Sequence, residues 1–223
     1  MDGKTRVADL PNVGSLSRMQ GMAFEHDSSG WFSGARRCPS SNFNARPVGV
    51  EPELVVVHSI SLPPGCYGGG EVEALFCNRL DCSRHPFYSQ LVGLRVSAHF
   101  LIERSGELIQ FVSCQDRAWH AGESHWRMRS NCNDFSIGIE LEGMDVYAYE
   151  TAQYKTLSGL LAALFLEYSR LSMETLVGHS DIAPGRKTDP GPAFNWAFLH
   201  RLLRNRLRPG VPEPPLISSS GTN

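Results

Sequence analysis

The chain has 223 residues, with 21 Lys and Arg against 23 Asp and Glu, a formal net charge of −2, and 41% apolar residues. That length suits one domain with tails rather than two full domains. The near-neutral balance argues against a non-specific nucleic-acid binder, which needs a positive excess. No run approaches the roughly 18 apolar residues of a membrane helix, and residues 1–25 hold no continuous apolar core of the kind an export signal carries. The cysteines, Cys38, Cys66, Cys77, Cys82, Cys114 and Cys132, are therefore expected as reduced thiols in a cytoplasmic protein. The expected state is a monomer with neither nucleic-acid nor membrane partners.

In chain order, residues 1–24 mix Gly, Ser, Asp and Lys without a helical or strand period and are expected to form a poorly ordered extension. The domain is expected over residues 25–207. Leu54–His58 (LVVVH) is an apolar run that suits a buried strand, followed by a Pro/Gly-rich loop, SLPPGCYGGG. Glu71–Leu80 places Val72, Leu75, Phe76 and Leu80 on one side of a short helix. Val96–Ile102 and Glu107–Val112 flank Arg104-Ser105-Gly106 as a hairpin. Ser136–Glu142 (SIGIELE) alternates, with Ile137, Ile139 and Leu141 on one face and Ser136, Gly138, Glu140 and Glu142 on the other. Thr151 can cap a helix to about Arg170, whose Tyr154, Leu157, Leu161, Leu164 and Tyr168 recur at helical spacing. Thr175–Val177 reads as a strand, and Pro192 as the start of a last helix with Phe198, Leu199, Leu202 and Leu203 inward. Residues 208–223 form a Pro/Ser-rich tail. The order predicts an α/β or α+β domain: a central mixed sheet flanked by helices.

Three polar residues stand out against these elements. His58 closes LVVVH, His179 closes TLVGH, and Asp189 follows in the loop GHSDIAPGRKTDPG. Two imidazoles and a carboxylate suit a catalytic zinc site that leaves one position to water. Asp181, two residues after His179, competes for the third place, and spacing alone does not decide between it and Asp189. A histidine at a strand end is more often a hydrogen-bonded structural residue. Glu140 is either a solvated glutamate on the outer face of an edge strand or a general base taking a proton from zinc-bound water. Lys187 is either an ordinary surface lysine or a stabiliser of a developing oxyanion. Rival chemistry is weaker. Cys77-x4-Cys82-x2-His85 is a loose knuckle, with Cys77 on the apolar side of a helix. No Gly-x-Ser-x-Gly elbow occurs. Cys132 beside His120 has no third group to support a thiol nucleophile.

The strings VVHSISLPPG, HPFYSQLVGLRVSAHFLI, RAWHAG, CNDFSIGIELEG and GHSDIAPGRKTDPGPAFNW resemble the zinc N-acetylmuramoyl-L-alanine amidase family. That family holds the 1,6-anhydro-N-acetylmuramyl-L-alanine amidases, T7-type phage lysozyme-amidases and peptidoglycan recognition proteins. The likeness runs in order from about Gly30 to Leu207. It implies a peptidoglycan-recognition-protein-like fold with one Zn²⁺ per chain, held by His58, His179 and Asp189. It also implies Glu140 as general base, Lys187 as oxyanion stabiliser, and Arg95 and Trp119 against substrate. The implied substrate is an anhydro-muropeptide, cut at the lactyl amide to L-Ala during wall recycling. Two positions depart from the family: Ser59 stands where Asn is frequent, and Asn131 where many relatives have Arg. Both bear on fine specificity. The alternative of another class is a non-catalytic muropeptide-binding module of the same fold. Such a binder has no use for His58, His179, Asp189, Glu140 and Lys187 together, which favours the enzyme.

Overall fold

The computed structural model describes residues 24–207. The strands are β1 (Arg36–Arg37), β2 (Phe43–Ala45), β3 (Leu54–Ile60), β4 (Phe100–Ile102), β5 (Leu108–Gln110), β6 (Asp116–Ala118), β7 (His125–Trp126), β8 (Arg129–Ser130), β9 (Ser136–Glu142) and β10 (Leu176–Gly178). The α-helices are α1 (Glu71–Phe76), α2 (Thr151–Glu167), α3 (His179–Ile182) and α4 (Trp196–Leu207). Six strands form one mixed sheet in the order β1-β5-β4-β9-β3-β10, with only the β4–β5 pair antiparallel. The expected mixed sheet flanked by helices is present.

Alternation along the strands sorts their side chains onto two apolar layers. Val55 and Val57 of β3 and Ile137, Ile139 and Leu141 of β9 pack with Leu157, Leu161 and Leu164 of α2 and Leu199 and Leu203 of α4. On the opposite face, Leu101, Ile109 and Phe76 form one cluster, and Leu54, Val56, Val177 and Ile182 form another. Each such aliphatic side chain contributes about 1.5–3 kcal/mol on burial. The functional candidates lie on this second face, between its two apolar clusters.

Several boundaries differ from expectation for local physical reasons. The α1 helix stops at Phe76, because Asn78 takes a left-handed φ of 56° and the Arg79 N–H wraps back onto the Ala74 carbonyl at 2.7 Å. The α2 N-cap is Glu150, not Thr151: its N–H donates to Gln153 Oε1 at 3.0 Å. The α4 helix begins at Trp196, four residues beyond Pro192, where Asn195 Oδ1 accepts from the Phe198 N–H at 2.9 Å. Phe24, assigned by composition to the extension, packs against the first core layer. Residues 1–23 and 208–223, with the disorder expected for them, lie outside the described residues. All six cysteines are free thiols, and no helix among the described residues is long and apolar enough to cross a membrane.

Candidate metal and catalytic site

Register assembles the site. In the parallel β3–β9 pair, His58 stands directly beside Glu140. In the β3–β10 pair, Gly178 stands beside Val57, so the chain leaves β10 with His179 next to His58. Neither histidine closes its strand as the sequence suggested. The β3 strand runs on to Ile60, and His179 is the first residue of α3. The turn after α3 then brings Asp189 back, with the Ser180 N–H donating to the Asp189 carbonyl at 3.0 Å. Asp181 faces the other way, its carboxylate accepting from the Gly178 N–H at 2.8 Å. Its role is a local cap, and the described geometry leaves Asp189 as the carboxylate at the cluster.

His58 Nδ1, His179 Nδ1 and Asp189 Oδ2 converge, and no other group of His, Cys, Asp and Glu among the described residues could hold an ion in this way. The separations are 2.9 Å between the two nitrogens, 3.0 Å from His179 to Asp189 and 3.4 Å from His58 to Asp189. Ligands around a tetrahedral zinc-sized cation lie roughly 3.3 Å apart. The donor set therefore fits such an ion in both spacing and chemistry. His179 Nε2 donates to the Ala121 carbonyl at 3.2 Å, which leaves the Nδ1 lone pair facing the cluster in the neutral ring. Burial lowers His58 to about 4, so the His58 ring is neutral near pH 7. Burial alone would raise the Asp189 carboxyl, but the imidazoles of His179 and His58 outweigh it and hold the group below the carboxylate range.

Glu140 is only 8% exposed. Its Oε1 lies 4.0 Å from His58 Nδ1, and its Oε2 is buried without a hydrogen-bond partner. Burial first, then the charge of Asp189, raises its carboxyl well above the ordinary value, with Lys187 opposing. Such a group is a poor surface residue and a suitable proton carrier. The edge-strand reading is excluded by topology, since β9 lies between β4 and β3.

Glu140, His179 and Asp189 line a groove of about 500 Å³, with Lys187, Arg95, Trp119 and Ser59. Trp119 is held by its indole N–H, which donates to Asn44 Oδ1 at 2.7 Å. Ser59 presents its backbone N–H to Asp189 Oδ2 at 3.4 Å. Asn131 does not line the groove; it occupies a left-handed turn, with φ 57°, at the end of β8. The rival arrangements do not form. Cys77 sits against Cys38, sulfur to sulfur 3.4 Å, while His85 Nδ1 accepts from the Phe87 N–H. Cys132 is buried, and His120 instead bonds His58 and Ser136. His120 shows no sign of this contact in its own string; the one signal in the sequence is that Ser136 and Gly138 share the Glu140 face of β9.

Residues 26–192 match the family model described as N-acetylmuramoyl-L-alanine amidase. The chain belongs to the N-acetylmuramoyl-L-alanine amidase family. It is 54% identical over 174 residues to the 1,6-anhydro-N-acetylmuramyl-L-alanine amidase AmpD of Escherichia coli (strain K12), covering 78% of this chain and 94% of that one. A crystal structure of a selenomethionine AmpD derivative superposes with a TM-score of 0.78 at 49% identity, covering 80% of this chain and 99% of that one. The amidase AmiD from E. coli, solved with the substrate anhydro-N-acetylmuramic acid-L-Ala-D-gamma-Glu-L-Lys, superposes with a TM-score of 0.51 at 29% identity, covering 82% of this chain and 66% of that one. The family match and the superpositions agree on the fold class and the enzyme class of this amidase.

Proposed function

We propose that this amidase hydrolyses the lactyl amide between 1,6-anhydro-N-acetylmuramic acid and L-Ala in muropeptides, as a zinc enzyme of cytoplasmic wall recycling. The observation that carries the reading is a buried glutamate with an unpartnered oxygen beside a His-His-Asp donor cluster, both facing one groove. The activity for which the AmpD relative is named and the substrate held in the AmiD complex supply the substrate class. The six free thiols agree with a reducing compartment. The chemistry is assigned to residues 25–207.

His58, His179 and Asp189 would hold the zinc. When bound there, it supplies Lewis acidity to the scissile carbonyl and acidifies water beside it. Glu140 takes the proton of the attacking water, and its desolvated carboxyl retains that proton long enough to give it to the departing L-Ala nitrogen. Lys187, on the loop wall, stabilises negative charge on the carbonyl oxygen. Arg95 at the exposed rim can bind a stem-peptide carboxylate through its planar fork. The fixed face of Trp119 can stack on sugar or peptide.

The test is mass spectrometry of products from anhydro-muropeptide and from intact sacculus, side by side. Rapid conversion of anhydro-muropeptide to free anhydro-sugar and peptide stem is expected. Rapid solubilisation of sacculus with little action on anhydro-muropeptide would reverse the substrate assignment.

A further inference from the structure

His58 meets the donor cluster through Nδ1 and turns its other nitrogen away from it. That nitrogen, Nε2, lies 2.9 Å from His120 Nδ1, and His120 Nε2 lies 3.0 Å from Ser136 Oγ. Ser136 Oγ in turn lies 2.6 Å from the Cys132 carbonyl oxygen. The direction of every proton in this row follows from its last member. Two oxygens 2.6 Å apart need a hydrogen between them, and a carbonyl has none to give. The Ser136 hydroxyl therefore donates to Cys132, and its oxygen is left to accept. His120 Nε2 then carries the single ring proton of the neutral imidazole, since Ser136 Oγ can only accept from it. His120 Nδ1 is thus an acceptor, so the shared proton sits on His58 Nε2. The His58 lone pair is forced onto Nδ1, toward His179 and Asp189.

The fold makes room for this row. A Cβ at Gly138 would lie 2.4 Å from His120 Cγ, so the ring occupies space that any other residue in β9 would fill. Asn133 Oδ1 accepts from the backbone N–H groups of His120 and Ala121 at 3.1 and 2.8 Å. That clamp fixes at once the segment carrying His120 and the Ala121 carbonyl that orients His179.

We propose that His120, anchored by Ser136, is a positioning residue that locks His58 in the tautomer presenting Nδ1 to the metal. The proposal rests on the zinc reading above and adds a second layer of residues to it. Outer partners of metal-bound histidines typically contribute 10–100-fold in metal affinity.

The experiment combines two readouts on the full-length protein. Zinc affinity is measured by competition with a chromophoric chelator for the parent, His120→Leu and His120→Asn. The Asn side chain can place Oδ1 near the acceptor position of Nδ1; Leu cannot. His120→Leu is expected to bind zinc 10–100-fold more weakly, and His120→Asn to recover most of that loss. Histidine ring-nitrogen NMR on the ¹⁵N-labelled, zinc-loaded parent is expected to find His120 protonated on Nε2 and not on Nδ1. This second readout needs no variant and holds if His120→Leu does not fold. Affinity of His120→Leu within twofold of the parent, equal weakening by Leu and Asn, or a proton on His120 Nδ1 would each overturn the proposal. A parent that binds no zinc would instead overturn the metal reading, an outcome that the chelator titration shows before any variant is compared.

Discussion

A carboxylate oxygen closed off from water without a partner costs free energy that folding alone does not repay. Glu140 carries such an oxygen, Oε2, while its Oε1 lies 4.0 Å from His58 Nδ1, the environment expected of the proposed general base. Glu140→Ala should lower kcat by about 10²–10⁴-fold, the range of a general acid–base group, while zinc content measured by atomic absorption stays at the parental level. Lys187→Ala should cost about 10²–10³-fold, the range for one oxyanion donor. Neither should raise KM greatly, as expected for groups whose proposed roles fall mainly in the transition state. Turnover of Glu140→Ala within a few-fold of the parent, with zinc bound, would return Glu140 to the role of a structural strand residue.

Strand β9 divides its residues by alternation: Ile137, Ile139 and Leu141 build the core against α2, Ser136, Gly138 and Glu140 face His120 and the His58 cluster, and Glu142 accepts from the Gly68 and Arg104 N–H groups. The alternation of SIGIELE was legible from sequence alone, and it placed Glu140 opposite the aliphatic face. That β9 is central was not legible, because an edge strand with one wet face has the same period. Asp189 and Asp181 could not be separated by spacing, since what separates them is the direction each carboxylate turns after α3. The two- and three-residue strands β1 and β2 left no periodic trace. His120 escaped notice because its importance lies in contacts from another element, not in its own string. Gly138 tests this division of labour. Gly138→Ala should destabilise the fold by about 1–3 kcal/mol through overpacking against the His120 ring, and should weaken zinc binding with it. Parental stability in urea melts and parental zinc affinity would show that the ring has room to move.

At the scale of the whole molecule, the interior is arranged for neutral histidines. His99 is fully buried, with Nδ1 accepting from the Gly138 N–H at 3.0 Å and Arg46 Nη2 at 3.1 Å from Nε2. Burial first, and then the Arg46 charge, lower its pKa to about 3. The unfolded chain therefore takes up a proton near pH 6.5 that the folded chain refuses until about pH 3, so stability falls as pH drops through that window. This histidine should cost about 2 kcal/mol between pH 7 and pH 5. Urea denaturation of His99→Gln should show that much less loss over the same interval, and an unchanged pH dependence would contradict it. Whether the groove directs water at the lactyl carbonyl is decided by hydrolysis of anhydro-muropeptide in H₂¹⁸O with the zinc-loaded protein. A single ¹⁸O is expected in the lactyl carboxylate of the released anhydro-N-acetylmuramic acid, and none in the peptide stem. Label in the stem, or cleavage at any other bond, would show that water attacks elsewhere.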